Sequence, residues 1–300
     1  MPLETRPLHN TLALEILGLR LWEPLDDATM AELRELWSRR GVLVFRRQAL
    51  SERELADFCA HFGPLERTVR SDWASPSVPE VTVLSNLKDG QGRPIGGLGD
   101  GELEWHSDQS YMLEPATGAA LYALELPPAG GETFWVDLRA AYAALPSQLR
   151  RRVTGQRGLF DYAKRLAGYG RDSDKNLSDA ARAQTPPVTH ALVRAHPETG
   201  ERSLYLDSTT TIGIDAMDTA TGLSLLDEIY AAATRDEFVY AHEWRPGDLV
   251  LWDNGFTMHR RTPFDPAARR LMKRMTLRLD PHRHVMPDGR LARSGEGMPV

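Results

Sequence analysis

Glu102-Leu-Glu-Trp-His-Ser-Asp108 is the stretch on which the reading of this chain turns. Its alternation is that of a strand, whose successive side chains point to opposite faces. Glu102, Glu104, His106 and Asp108 are expected on one face, with Leu103, Trp105 and Ser107 on the other. An imidazole and a carboxylate that point the same way can share a metal ion. Alone the pair is weak evidence: with 9 histidines and 42 acidic residues in the chain, an ordinary polar strand reads the same way.

Its company gives it weight. Far downstream the strand-like run Gly247-Asp-Leu-Val-Leu-Trp-Asp253 is followed by His259. Two imidazoles and one carboxylate on one face of a metal form the facial triad of non-haem Fe(II) oxygenases, which leaves the opposite face open. The same set can hold zinc with an open position, so metal-assisted hydrolysis is an alternative, as is a non-catalytic barrel that binds a small molecule. Beyond His259 comes Arg269-Arg270-Leu-Met-Lys-Arg274, leading into the strand-like Met275-Thr-Leu-Arg-Leu279. An inward guanidinium presents a planar fork suited to a carboxylate. A solvated basic cluster is the plain alternative.

Around these residues the pattern is mostly of short strands. Strands are predicted at Glu80–Ser85, Glu102–Tyr111, Ala119–Glu125, Glu132–Val136, Glu237–Trp244 and Asp248–Trp252. Val188–Ala195 and Arg202–Asp207 flank the turn Pro197-Glu-Thr-Gly200 and read as a hairpin. Helices are predicted over Asp26–Trp37, from the capping box Ser51-Glu-Arg-Glu54 to about His61, over Arg139–Leu145, Ser147–Val153 and Thr219–Thr234. Many short strands separated by turns favour a mainly β, double-layered barrel, a jelly roll with helices outside it. Two irregular stretches, Lys88–Gly101 and Tyr162–Pro187, are expected as loops over the site.

Composition narrows the function further. A chain of 300 residues can bury a large core, and residues far apart in sequence must meet at one metal, so one domain over 1–300 is expected. A net charge of −6 leaves no general footprint for nucleic acid. Cys59, the single cysteine, excludes an intrachain disulfide and reads as a buried helix residue. Neither a secretory signal nor an apolar run of membrane-spanning length is apparent, which gives a cytoplasmic expectation. A homo-oligomer is left open.

These landmarks, in this order, resemble the taurine dioxygenase-like (TauD/TfdA) Fe(II)/2-oxoglutarate-dependent dioxygenases, which include the 2,4-dichlorophenoxyacetate dioxygenases. The resemblance runs from Gly41-Val-Leu-Val-Phe-Arg46 and His61-Phe-Gly-Pro-Leu65 through Trp105-His-Ser-Asp108, Pro127-Pro-Ala-Gly-Gly-Glu-Thr133 and Trp252-Asp-Asn254 to the final arginines. It implies a jelly-roll barrel with iron on His106, Asp108 and His259 and with 2-oxoglutarate and O2 as co-substrates. Thr133, after a Gly-Gly pair, and Arg270, 11 places beyond His259, stand where the family holds the distal carboxylate of 2-oxoglutarate. Arg274 stands where the taurine enzyme meets its substrate's anionic group. The implied reaction oxidises a small anionic substrate, by hydroxylation or desaturation, and releases succinate and CO2. Glu66-Arg-Thr-Val-Arg70 lacks the histidine with which the taurine enzyme binds sulfonate, so taurine is not the expected substrate.

Overall fold

Strand Leu249–Asp253 shows how the sequence builds the barrel. Val250 and Trp252 point inward, to a core shared with Trp135 and Tyr240 of a facing sheet, whereas Leu249 and Leu251 point outward among residues of the covering helices. The computed structural model describes residues 2–67, 71–101, 103–168 and 185–292.

The major sheet runs Thr5–Pro7, Leu14–Ile16, Val42–Phe45, Leu249–Asp253, Gly118–Glu125, Leu271–Leu277, Thr82–Ser85 and Gly97–Leu98, with Leu65–Glu66 also paired to Leu271–Leu277. The minor sheet runs Val239–His242, Thr133–Asp137, Thr257–Arg261 and Leu103–His106, all antiparallel. Period-2 alternation gives each sheet an inner and an outer face. Inside lie Val42, Val44, Ala119, Leu121, Ala123 and Met272 against Trp135. Together they form the expected mainly β jelly-roll barrel with outer helices.

Two helical layers cover the outer faces. Helix Asp27–Arg40 starts at Asp26, whose side chain accepts from the Thr29 N–H, and ends at Gly41 in the left-handed region, φ 68°. A side chain at Gly41 would collide with the Phe256 ring, so the glycine serves both the turn and the close approach. Helix Glu52–Ala60 carries the predicted capping box at Ser51 and Glu54. Leu33, Trp37, Leu55 and Phe58 from these helices pack on Phe45, Leu251 and Leu277, each buried side chain contributing about 1.5–3 kcal/mol. Cys59 is fully buried there, and burial pushes its thiol up. Helices Leu138–Ala144, Ser147–Val153 and Thr219–Ala233 cover the minor sheet through Val136 and Met258.

Several expectations need correction. The strand predicted over Glu102–Tyr111 is only Leu103–His106, and Asp108 lies in the turn after it. The pairing slips between His259/His106 and Arg261/Leu103, a bulge that breaks the alternation. Leu103 therefore lines the inner pocket with His106, while Glu104 is exposed; Glu102 lies outside the described residues. Val188–Ala195 is two strands, Val188–Ala191 and Val193–Ala195, in different sheets. The hairpin to Arg202–Leu204 does form. The stretch from Tyr162 begins as a helix, Tyr162–Gly168, and its continuation at 169–184 lies outside the described residues. Among the described residues no helix is long and apolar enough to cross a membrane.

Candidate active site

His106 ends its strand, Asp108 sits two residues on in the turn, and His259 is the middle residue of Thr257–Arg261. His106 and His259 are directly cross-strand, with ring centroids 4.1 Å apart. One ligand atom from each of His106, Asp108 and His259 lies within 4.8 Å of the others, and all three residues are buried. Among the described residues this is the one such cluster.

The surroundings prepare each atom. His106 Nδ1 donates to the Glu104 carbonyl at 2.7 Å, which fixes the tautomer and leaves Nε2 as a lone-pair donor. Asp108 Oδ2 accepts from Asn254 Nδ2 at 3.1 Å and pairs with the Arg274 guanidinium at 2.8 Å. Its other oxygen, Oδ1, is left 3.7 Å from His259 Nε2. Asn254 is itself oriented, because its Oδ1 accepts the Trp252 indole N–H at 3.0 Å. His259 is flanked by the Trp135 and Trp252 rings.

Charge states follow from this burial. Burial, reinforced by His259 and Arg165, pushes His106 well below the ordinary imidazole value. Burial pushes His259 down to about 4, against the opposing pull of Asp108. For Asp108 burial opposes ionisation, but Arg274 and the neighbouring imidazoles outweigh it and hold the carboxyl below the usual carboxylate range. Two neutral imidazoles and one carboxylate are the protonation states that a divalent metal requires. Three donors of this kind, with one carboxylate oxygen already tied back, fit a metal that keeps open positions.

A pocket beside the cluster is lined by Leu84, Leu98, Leu103, Leu121 and Trp252 and by Thr133, Arg165, Arg261, Arg270 and Arg274. Thr133 enters after Gly130 and Gly131, both in the left-handed region at φ 77° and 76°. A Cβ at Gly130 would sit 2.5 Å from the Pro263 carbonyl, so glycine lets Thr133 approach the segment after His259. Arg270 is 2% exposed, its Nε has no partner, and among the described residues no carboxylate pairs with it. Burial, reinforced by the neighbouring Arg261, pushes Arg270 down to about 9.

The predicted residues His106, Asp108, His259, Thr133, Arg270 and Arg274 are thus gathered in one place. Arg274 already has a partner within the chain, the Asp108 carboxylate. Sequence reasoning missed Asn254, Arg165 and Arg261. Only Asn254 carried a signal, its place in Trp252-Asp-Asn254.

The chain is 35% identical over 285 residues to the alpha-ketoglutarate-dependent 2,4-dichlorophenoxyacetate dioxygenase of Cupriavidus pinatubonensis, covering 92% of this chain and 98% of that protein. It is 30% identical over 291 residues to pentalenolactone F synthase of Streptomyces avermitilis, covering 92% and 94%. The crystal structure of AAD-2 in complex with Mn(II) and N-oxalylglycine superposes with a TM-score of 0.79 at 30% identity, covering 93% of this chain and 98% of that one. The class is that of the 2-oxoglutarate-dependent non-haem iron dioxygenases, with Fe(II) as cofactor and 2-oxoglutarate and O2 as co-substrates. The chain belongs to the family described as taurine catabolism dioxygenase TauD, TfdA family, whose model matches residues 4–276.

Proposed function

We propose that residues 1–300 form one dioxygenase domain in which His106, Asp108 and His259 hold Fe(II), Thr133 and Arg270 hold the distal carboxylate of 2-oxoglutarate, and Arg274 meets an anionic group of the primary substrate. The observation that carries the reading is the convergence of three donors from distant parts of the chain beside a pocket that contains a buried Arg270 with no carboxylate partner among the described residues. A buried guanidinium without a counter-charge is costly, and a ligand carboxylate supplies one. Metal-assisted hydrolysis gives Arg270 and Thr133 no task.

When bound, the iron and its co-substrate supply the oxidising power for a substrate C–H bond, by hydroxylation or desaturation, with release of succinate and CO2. The chain's residues do the positioning. Asn254 and Arg274 hold Asp108 Oδ2 so that Oδ1 faces the imidazoles. Trp135 and Trp252 wall the His259 side against water, and Leu84, Leu98, Leu103 and Leu121 give the pocket an apolar lining for the substrate's body.

The substrate class is read from Arg274 and from two relatives. The names 2,4-dichlorophenoxyacetate dioxygenase and, for the Sphingobium herbicidovorans protein at 32% identity, (S)-phenoxypropionate dioxygenase both denote carboxylates. A small organic carboxylate is accordingly the substrate class proposed for this chain. Anaerobic addition of Fe(II) and then 2-oxoglutarate should produce a weak visible charge-transfer band. A library of organic anions and neutral analogues, read by succinate formation, then tests the substrate: turnover confined to neutral compounds overturns the anionic reading.

A further inference from the structure

We infer that Arg261, in addition to Arg270, is a binding residue for the distal carboxylate of the dicarboxylic 2-oxo acid, so that this subsite is a two-guanidinium clamp. The inference rests on the co-substrate placement proposed above and extends it to a residue that neither the sequence motifs nor the mechanism uses.

Three observations place Arg261 there. It ends strand Thr257–Arg261, two residues after His259, and its Cα partner across the sheet is Thr133. Its guanidinium and that of Arg270 lie against the same ring, 5.5 Å and 5.8 Å from the Phe264 centroid. Both arginines line the pocket that His106 and His259 also line, both are almost fully buried, and the Nε of each is without a partner among the described residues.

A purely structural explanation covers only part of this. Arg261 Nη2 donates to the carbonyls of Leu98 and Gly101, which tethers edge strand Gly97–Leu98 and the loop after it, with Leu98 in the pocket. Those bonds use one terminal nitrogen and leave a cation beside a second buried cation, an arrangement that loses free energy until an anion enters. Asp100 is the acidic group that faces Arg261 and favours its charged form, and it has no such influence on Arg270. A carboxylate lodged between Thr133 and the two guanidinium groups offsets the remaining charge with charge-assisted hydrogen bonds.

The test separates carboxylate contact from loop tethering. Mn(II)-loaded protein, kept anaerobic, is titrated with 2-oxoglutarate and with 2-oxobutanoate, which has the same metal-binding end and no distal carboxylate. Arg261→Gln should weaken 2-oxoglutarate roughly tenfold or more, the worth of one charge-assisted hydrogen bond, and leave 2-oxobutanoate unchanged. Arg261→Lys keeps the charge and loses the fork; it should show the same selectivity with a smaller loss, and it carries the test if the glutamine variant does not fold. Equal weakening of both ligands means that Arg261 only tethers the loop, and no weakening of either means that it does not reach the ligand; each overturns the inference. Arg270→Ala in the same assay identifies a deeper error: if it also leaves 2-oxoglutarate binding unchanged, the co-substrate placement is wrong and the inference on Arg261 falls with it.

Discussion

The Arg274 guanidinium lies 2.8 Å from Asp108 Oδ2, so one arginine touches both the candidate metal ligands and the pocket beside them. Arg270, immediately before strand Leu271–Leu277, and Arg274, within it, line the same pocket, yet they differ in charge balance. Asp108 partners Arg274, whereas Arg270 has no carboxylate among the described residues. Arg274→Ala is therefore expected to have two effects. Binding of the anionic substrate should be lost selectively, with 2-oxoglutarate affinity much less affected. Metal affinity should also fall, because Asp108 loses a partner that keeps it ionised and oriented. Separate anaerobic titrations of metal, co-substrate and substrate distinguish these effects, and normal binding of the true substrate by the variant refutes the role.

The ligand set is tested by removing one donor at a time. His106→Ala, Asp108→Ala and His259→Ala should each sharply weaken Fe(II) binding and coupled turnover. The barrel should persist, because the buried apolar layers do not depend on these side chains. Wild-type succinate formation by His259→Ala would remove the central claim.

The parts of this site that were legible in sequence are those that chemistry ties to a short motif. His106 and Asp108 stand two apart, and Thr133 follows Gly130-Gly131. What failed depended on partners remote in sequence. The bulge opposite His259 arises where two strands pair across the sheet, and nothing in Glu102–Asp108 announces it. Strand Thr257–Arg261 went unread because its sequence, Thr-Met-His-Arg-Arg, shows no apolar alternation. The Arg260 guanidinium lies over the Phe134 and Trp105 rings, 4.4 Å and 5.3 Å from their centroids, so part of the packing that an apolar side chain would supply comes from a charged one. Helix Tyr162–Gly168 is too short for its periodicity to stand out.

Asn254 shows the same limit, since its amide joins Trp252, two residues away, to Asp108, 146 residues away. Residues that orient a metal ligand through a hydrogen bond typically contribute a factor of roughly 10–100 in metal affinity. Asn254→Ala should show a loss of that order for Mn(II), followed by the disappearance of the free-ion EPR signal. Trp252→Phe removes the indole donor that fixes the amide and should give a smaller loss in the same direction. Unchanged Mn(II) affinity in Asn254→Ala would mean that Arg274 alone suffices to hold Asp108.

The co-substrate site gives the last prediction. Arg270 is buried, its backbone N–H is held by Asn86 Oδ1 at 3.0 Å, and its side chain lies beside Phe264, so its direction is set before any ligand arrives. Preorganised donors lose little on binding, which makes the lost interaction the main term when they are removed. Arg270→Ala should therefore raise the 2-oxoglutarate requirement by about 1.5–3 kcal/mol of binding free energy. Thr133 Oγ1 already accepts the Trp244 indole N–H at 3.0 Å, which leaves its own hydroxyl proton free to donate to a carboxylate. Thr133→Val removes that neutral donor and also strands the Trp244 N–H, so a smaller shift in the same direction is expected together with a modest drop in melting temperature. Anaerobic titration gives the first quantity and a metal-free thermal melt the second. If Arg270→Ala binds 2-oxoglutarate as tightly as wild type while Thr133→Val does not, the distal carboxylate sits on the Thr133 side of the pocket alone, and the role assigned to Arg270 is wrong.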